Sequence, residues 1–256
     1  MSLVTYVISL KNEKKRRDSI REKLYNIHFS FVDAIDLRTV SESMLQAYID
    51  NESNGSLIKR KLTRGEIGCS LSHFLCYKKF LETNESFCWI IEDDAILELN
   101  AHNKLLGFTE VFSEDSFDAV ILGYSKLEKS HEKIFYIKEP LKILKKFDSF
   151  SLGKPWKNWT CGTVSYLITR KGAQKMLSDF DGKVKTVADD WEYFERKLNL
   201  DIYHLRPLLI FEDYIRLGSS IEDERKLVAN KERRFLDILR LLRGVYRKCI
   251  MNIFNF

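Results

Sequence analysis

Phe87-Cys88-Trp89-Ile90-Ile91-Glu92-Asp93-Asp94 runs five apolar side chains directly into three acids. A continuous apolar run of this kind marks a strand buried on both faces, as in the parallel sheets of α/β proteins. Acids placed straight after it stand at the strand's carboxyl end, where open α/β sheets bind ligands. Three adjacent carboxylates repel one another and are costly unless a cation neutralises them. Hard divalent ions such as Mg²⁺ or Mn²⁺ take oxygen ligands and commonly bridge to substrate phosphates. The acid-x-acid spacing puts Glu92 and Asp94 on the same side of an extended backbone. A solvated acidic turn is the competing reading of these residues.

The flanking sequence builds an α/β frame around this strand. Val4–Leu10 is β-rich and leads into a basic stretch, Lys11–Arg21. Ile20, Leu24 and Ile27 then recur at helical spacing, and Phe29–Ala34 alternates as a second strand. This βαβ unit predicts a parallel sheet. Residues 35–63 are polar, with a short helix expected around Ser41–Ile49. The segment from Thr63 through Leu81 reads as a helix of about five turns. Downstream, Phe117–Gly123 reads as another buried strand, and 125–160 as a hairpin with a substrate-facing loop. Thr163–Ile168 reads as a strand, Arg170–Leu177 as a helix, and Val187–Leu198 as a helix opening on Asp189-Asp190. Ile202–Pro207 looks like the last strand.

Composition excludes whole classes. The 256 residues are 45% hydrophobic and 12% aromatic with only 11 Gly and 3 Pro, so collagen-like and disordered chains are ruled out. The five cysteines form no CxxC pair, which points to buried thiols in a reducing compartment. No HExxH, HxxxH or Cys/His ligand set is legible, so zinc is not expected. The glycine-rich dinucleotide fingerprint and the P-loop are both absent. The N-terminus carries no signal-peptide pattern and no stretch is apolar enough for a membrane span, so a cytoplasmic protein is expected.

The formal charge of +5 is unevenly placed. Residues 225–256 hold nine basic residues against Glu232 and Asp237, so this tail is +7 and the body −2. Phe235, Ile238, Leu239, Leu242, Val245, Tyr246, Cys249, Ile250 and Ile253 fall on one face of a helix, and the basic residues on the other or its borders. Such a helix suits an anionic membrane surface; docking on the core or an oligomer contact are the alternatives. Nucleic acid loses its support, because the body is not basic. The division expected is a catalytic domain over 1–222 and a basic amphipathic segment over 223–256.

Five stretches read together as one signature: Val7-Ile8-Ser9-Leu10 with Arg16-Arg17, then Phe31–Asp36, then Leu62-Thr63-Arg64-Gly65-Glu66-Ile67-Gly68-Cys69-Ser70-Leu71-Ser72-His73, then Ile90–Ala95, and last Gly162-Thr163 with Tyr166–Ile168 and Gly172-Ala173. In this order they resemble glycosyltransferase family 25, the bacterial lipooligosaccharide glycosyltransferases. The first two are similar to its first strand with a basic turn and the segment after it, and the Leu62–His73 stretch is the most diagnostic match. Ile90–Ala95 resembles its acidic metal motif, and the last stretch a later strand–helix signature. The resemblance covers residues 4–177 and fades beyond 178. It implies a GT-A fold, with a Rossmann-like mixed sheet flanked by helices, and a nucleotide-sugar donor, most often UDP-galactose. It also implies inverting transfer to a lipid-linked oligosaccharide at the inner face of the bacterial inner membrane.

Under that resemblance Glu92, Asp93 and Asp94 are expected to hold Mn²⁺ or Mg²⁺. Ser9, Arg16, Arg17, Asp33, Glu66 and His73 are expected to contact the donor. An inverting route needs one carboxylate to take the acceptor hydroxyl proton, and Asp190 is the expected base with Asp189 next. Trp156 and Trp159 are candidates to stack on acceptor sugars or to pack inside. Apart from the resemblance, the same acid cluster would serve a metal-dependent phosphoesterase, and the tail alone a membrane-surface adaptor.

Overall fold

The structure, a computed structural model, describes residues 3–50, 58, 60–213 and 234–253. The expected boundary at 222/223 and residues 223–233 of the tail lie outside the described residues. The frame is an eight-stranded mixed sheet with helices on both faces. Strand β1 (Leu3–Ser9) lies between β2 (Ser30–Asp33) and β3 (Phe87–Glu92), parallel to both. Helix α1 (Lys14–Lys23) makes the crossover from β1 to β2, so the opening βαβ unit is present. Strand β9 (Ser165–Thr169) runs antiparallel between β3 and β5 (Ala119–Ile121). Beyond β5 come β10 (Ile202–Arg206), parallel to it, and the hairpin of β7 (Leu141–Phe147) and β8 (Phe150–Pro155). Hence β1, β2, β3, β5 and β10 all point the same way and deliver their carboxyl ends to one edge.

The alternation of side chains along β3 explains why both faces are covered. Cys88 and Ile90 enter one apolar cluster with Tyr77 and Phe80 of α3 (Arg64–Leu81), Met176 of α6 (Arg170–Ser178) and Trp191 of α7 (Trp191–Leu198). Phe87, Trp89 and Ile91 enter the other, with Ile20 of α1 and Leu105 and Phe108 of α4 (Ala101–Val111). At about 25 cal/mol per Å² of apolar surface removed from water, these layers are the main source of stability. A short helix, α2 (Glu42–Gln46), sits within the stretch expected to be helical.

Three expectations change. The strand foreseen over Phe117–Gly123 stops at Ile121. Gly123-Tyr124 (β6) crosses into a second, three-stranded sheet with β4 (Ala95–Leu97) and β11 (Ile210–Glu212). A Cβ at Gly123 would lie 2.6 Å from the Ile210 carbonyl oxygen, so this close crossing requires glycine. Ile202–Arg206 is therefore not the last strand; β11 follows it. Helix α4 and a helix at Glu132–Lys138 (α5) had no counterpart in the expected elements.

The C-terminal helix α8 (Arg234–Ile253) packs on α5 and β7 through its basic side. Arg243 and Arg247 pair with Glu139, and Lys248 Nζ donates to the Leu141 carbonyl at 3.0 Å. Gly244 permits the contact, since a Cβ there would sit 2.0 Å from the Ile137 oxygen. The apolar side faces outward: Leu239, Leu242, Val245, Tyr246 and Ile253 are 48–72% exposed. Among the described residues no helix is long and apolar enough to cross a membrane.

Candidate active site

The carboxyl edge of β1, β2 and β3 gathers most of the residues singled out above. Register places Ser9 opposite Asp33 and Ile8 opposite Glu92, so the three strand ends are level. Helix α1 starts one turn beyond β1 and brings Arg16 and Arg17 back over that edge. Arg17 donates to the Ser9 carbonyl at 2.8 Å and to Asp33, with its guanidinium 4.6 Å from the centre of the Phe31 ring. Arg16 donates to Asp93 Oδ1 at 2.7 Å and to Asp94 Oδ2 at 3.2 Å. The Ser9 hydroxyl donates to Asp93 Oδ2 at 2.6 Å.

This arrangement divides the acid triplet. Asp93 has both oxygens engaged, so it anchors Arg16 and Ser9 and is poorly placed to ligate a cation as well. Asp94 is the opposite case: its Oδ1 is buried and has no hydrogen-bond partner. Burial, with Glu92 and Glu212 close by, raises its carboxyl well above the usual range, and burial raises Asp93 too. Burial would also raise Glu92, yet His73, the Thr163 hydroxyl and Arg16 together hold it below its ordinary value.

Two acids at this edge escaped the sequence reading, Glu212 and Asp213. Strand β11 pairs antiparallel with β4, setting Glu212 opposite Ala95, and the Asp213 amide donates to the Asp94 carbonyl at 2.7 Å. Glu212 accepts from the Lys126 amide at 2.6 Å, and burial and Glu92 raise its carboxyl. A signal existed: Ile210-Phe211-Glu212-Asp213 repeats the apolar-apolar-Glu-Asp order of Ile90-Ile91-Glu92-Asp93. The negative charges of Glu92 and Glu212 thus bear on Asp94, whose Oδ1 is buried and unpartnered, although the three acids do not close into one tight ligand cluster. An all-oxygen donor set with surplus negative charge fits a hard divalent cation. Asp94 Oδ1 is the atom that would meet such an ion, with Glu92 and Glu212 the acids whose charge bears on it, while Asp93 is engaged by Ser9 and Arg16.

His73 lies on α3, 2% exposed, behind Glu92. Its Nδ1 is 2.8 Å from the Tyr166 hydroxyl, which is 2.6 Å from that of Tyr77. Its Nε2 makes no hydrogen bond and stands 3.5 Å from Glu92 Oε1. The residue expected to touch the donor is therefore held behind the acids, facing Glu92.

Two other expectations are revised by what the side chains hold. Glu66 is N3 of a capping box: it accepts from the Thr63 amide at 2.9 Å and pairs with Arg60 at 2.6 Å. It starts helix α3, a structural task in place of the expected donor contact. Asp190 is fully buried as the N-cap of α7, accepting from the Tyr193 amide at 3.2 Å and the Thr186 hydroxyl at 2.5 Å. A capping carboxylate sealed from solvent is badly placed to meet an acceptor hydroxyl. Its neighbour Asp189 is partly exposed and accepts from the Gly162 amide at 2.9 Å. Of the two alternatives for the tryptophans, Trp159, half-buried, packs against the core and stacks on His204 with ring centres 5.2 Å apart, while Trp156 is 44% exposed.

Comparison with known proteins adds a lineage. The profile of "Glycosyltransferase family 25 (LPS biosynthesis protein)" matches residues 2–191. The chain is 26% identical over 272 residues to "Lipooligosaccharide biosynthesis protein lic2B" of Haemophilus influenzae, covering 98% of this chain and 95% of that protein. It is 30% identical over 227 residues to "Procollagen galactosyltransferase 2" of Mus musculus, covering 80% of this chain but only 34% of that longer protein. Among solved structures it is similar to the galactosyltransferase LgtC with donor and acceptor sugar analogues, at 11% identity and a TM-score of 0.34, covering 78% of this chain and 72% of that one. The chain belongs to glycosyltransferase family 25.

Proposed function

We propose that this chain is a GT-A-type hexosyltransferase that moves galactose from UDP-galactose, with inversion, onto a sugar of a lipid-linked oligosaccharide. The observation that carries this reading is the unpartnered buried Oδ1 of Asp94, under the charge of Glu92 and Glu212 and beside Arg16, at the carboxyl edge of parallel strands. Family membership supports the reaction class, and the names of two relatives support galactose and a lipooligosaccharide acceptor. A divalent cation, Mn²⁺ or Mg²⁺, held by Asp94, Glu92 and Glu212 would neutralise the leaving diphosphate.

The chain's own residues do the rest. Ser9, Arg17 and Asp33 line the edge where the nucleoside lies, and Arg16 supplies positive charge next to the diphosphate. Asp189 accepts the proton of the acceptor hydroxyl as that oxygen bonds to the anomeric carbon. The bond from that carbon to the phosphate oxygen breaks, and UDP leaves. The Gly162 amide aims Asp189, and Trp156 offers an exposed ring to the acceptor. The outward apolar side of α8, flanked by the tail's +7 charge, lies on an anionic membrane surface at the inner face of the inner membrane.

The test is a screen of UDP-sugars with Mn²⁺ and a truncated lipooligosaccharide acceptor, read by product mass. A product heavier by one hexose, made from UDP-galactose, is expected. Hydrolysis of phosphate esters with no sugar transfer would instead support a phosphoesterase using the same acids.

A further inference from the structure

Cys69 and His73 are four residues apart on α3, which sets them on one face of that helix. The end of β3 brings Glu92 against them. Their ligand atoms, Cys69 Sγ, a His73 ring nitrogen and a Glu92 oxygen, lie within 4.8 Å of one another. This is a sulfur–nitrogen–oxygen set, chemically unlike the all-oxygen crowd around Asp94. We propose that Cys69, His73 and Glu92 form a second metal site, selective for a soft or borderline ion such as Zn²⁺, beside the sugar-transfer site.

Three observations converge. His73 Nε2 is buried, makes no hydrogen bond and faces Glu92 at 3.5 Å, a separation close to that of two ligands sharing one tetrahedral ion. The other ring nitrogen is held by the Tyr166 hydroxyl, itself bonded to Tyr77. When Nδ1–H donates to Tyr166, the Nε2 lone pair points at the site; metal-bound histidines are routinely fixed by such an outer hydrogen bond. Cys69 is partly exposed, which gives an ion a path from solvent, and it is in no disulfide. The three ligands leave a fourth position open for water. On binding, the Cys69 thiol gives its proton to solvent and enters as thiolate.

Because Glu92 is shared, this site and the hard-cation site compete for one carboxylate. Zn²⁺ at Cys69 and His73 draws Glu92 away from Asp94, so sub-stoichiometric Zn²⁺ acts as an inhibitor of a Mn²⁺-supported reaction. Sequence spacing gave no reason to expect zinc, since the third ligand comes from another element.

The experiment uses the full chain stripped of metal, with Co²⁺ as the optical probe and Zn²⁺ as competitor. One equivalent of Co²⁺ is expected to give an intense thiolate-to-cobalt charge-transfer band and the visible spectrum of a tetrahedral ion, both erased by one Zn²⁺. Cys69→Ser is expected to lose the band, Cys249→Ser to keep it, and Tyr166→Phe to weaken affinity about tenfold. In the unmodified chain, Zn²⁺ is expected to slow alkylation of Cys69, read by peptide mass. A Co²⁺ spectrum without a thiolate band, or alkylation of Cys69 unchanged by Zn²⁺, overturns the proposal.

Discussion

Replacing Arg16 by Met removes the guanidinium from between Asp93 and Asp94 while keeping a side chain of similar length. The structure sets the size of the effect. The guanidinium donates at 2.7 Å and 3.2 Å, its side chain is 16% exposed, and the two carboxyls are 8% and 9% exposed. Removing one partner from a buried ion pair costs about 3–5 kcal/mol, because the other charge is stranded. Here the stranded acids have a partial escape. Burial already raises both carboxyls, and taking up a proton relieves some of the repulsion. A net loss of about 2–3 kcal/mol is therefore expected, equivalent to about 4–12 °C in Tm for a chain of this size. Thermal unfolding in chelator measures it. Added Mn²⁺ is expected to raise the Tm of Arg16→Met more than that of the wild type, since the ion takes over the missing charge. A variant that melts within a degree of the wild type in chelator, and gains no more from Mn²⁺, refutes this account of the edge.

Three further outcomes follow from particular contacts. Gly162 has φ +88, and a Cβ there would fall 1.7 Å from Ser125 Oγ; Gly162→Ala is expected to cost about 1–3 kcal/mol in denaturant unfolding. Because its amide aims Asp189, sugar transfer by that variant is expected to fall about 100-fold. His204 is buried between Tyr124 and Asn158, and burial, then Arg206, lowers its pKa from 6.5 to about 3. It folds neutral, so its contribution is full above pH 6.5 and declines by about 1.4 kcal/mol per pH unit as pH falls toward 3. His204→Gln is expected to remove that component of the slope in pH-dependent unfolding; an unchanged slope counts against it. Removing residues 234–256 is expected to abolish sedimentation with anionic liposomes, with charge-neutral liposomes sedimenting neither form; retained binding to the anionic liposomes contradicts the role given to α8.

How much of this was legible in the sequence varied with the physics involved. The β1–α1–β2 unit and β3 announced themselves because their patterns are local: a period of two, a period near 3.6, a continuous apolar run. Glu92 and Asp94 were legible because acids directly after such a run occupy a strand end. Glu212 was not singled out, although its surroundings repeat the same order, because its place depends on β11 turning back to pair with β4. Asp189 and Asp190 show the limit most clearly. Adjacent and chemically identical in sequence, they are separated only by rotation of the backbone at the start of α7, which buries one as a cap and leaves the other partly exposed. Glu66 carried a double signal, since the Thr63-x-x-Glu66 spacing is also a capping box. The C-terminal helix was legible as amphipathic, but which side meets the body was not. That was decided by Gly244 and by Glu139 on a helix the pattern had not disclosed.

The central claim is that Asp94 and its neighbouring acids hold a divalent cation that in turn holds the donor diphosphate. Calorimetric titration of UDP into the protein, with Mn²⁺ and then with chelator, for the wild type and Asp94→Asn, tests this without an acceptor. The account predicts Mn²⁺-dependent UDP binding by the wild type, weakened at least tenfold in Asp94→Asn. UDP binding of equal strength in chelator, or unchanged in Asp94→Asn, would contradict it.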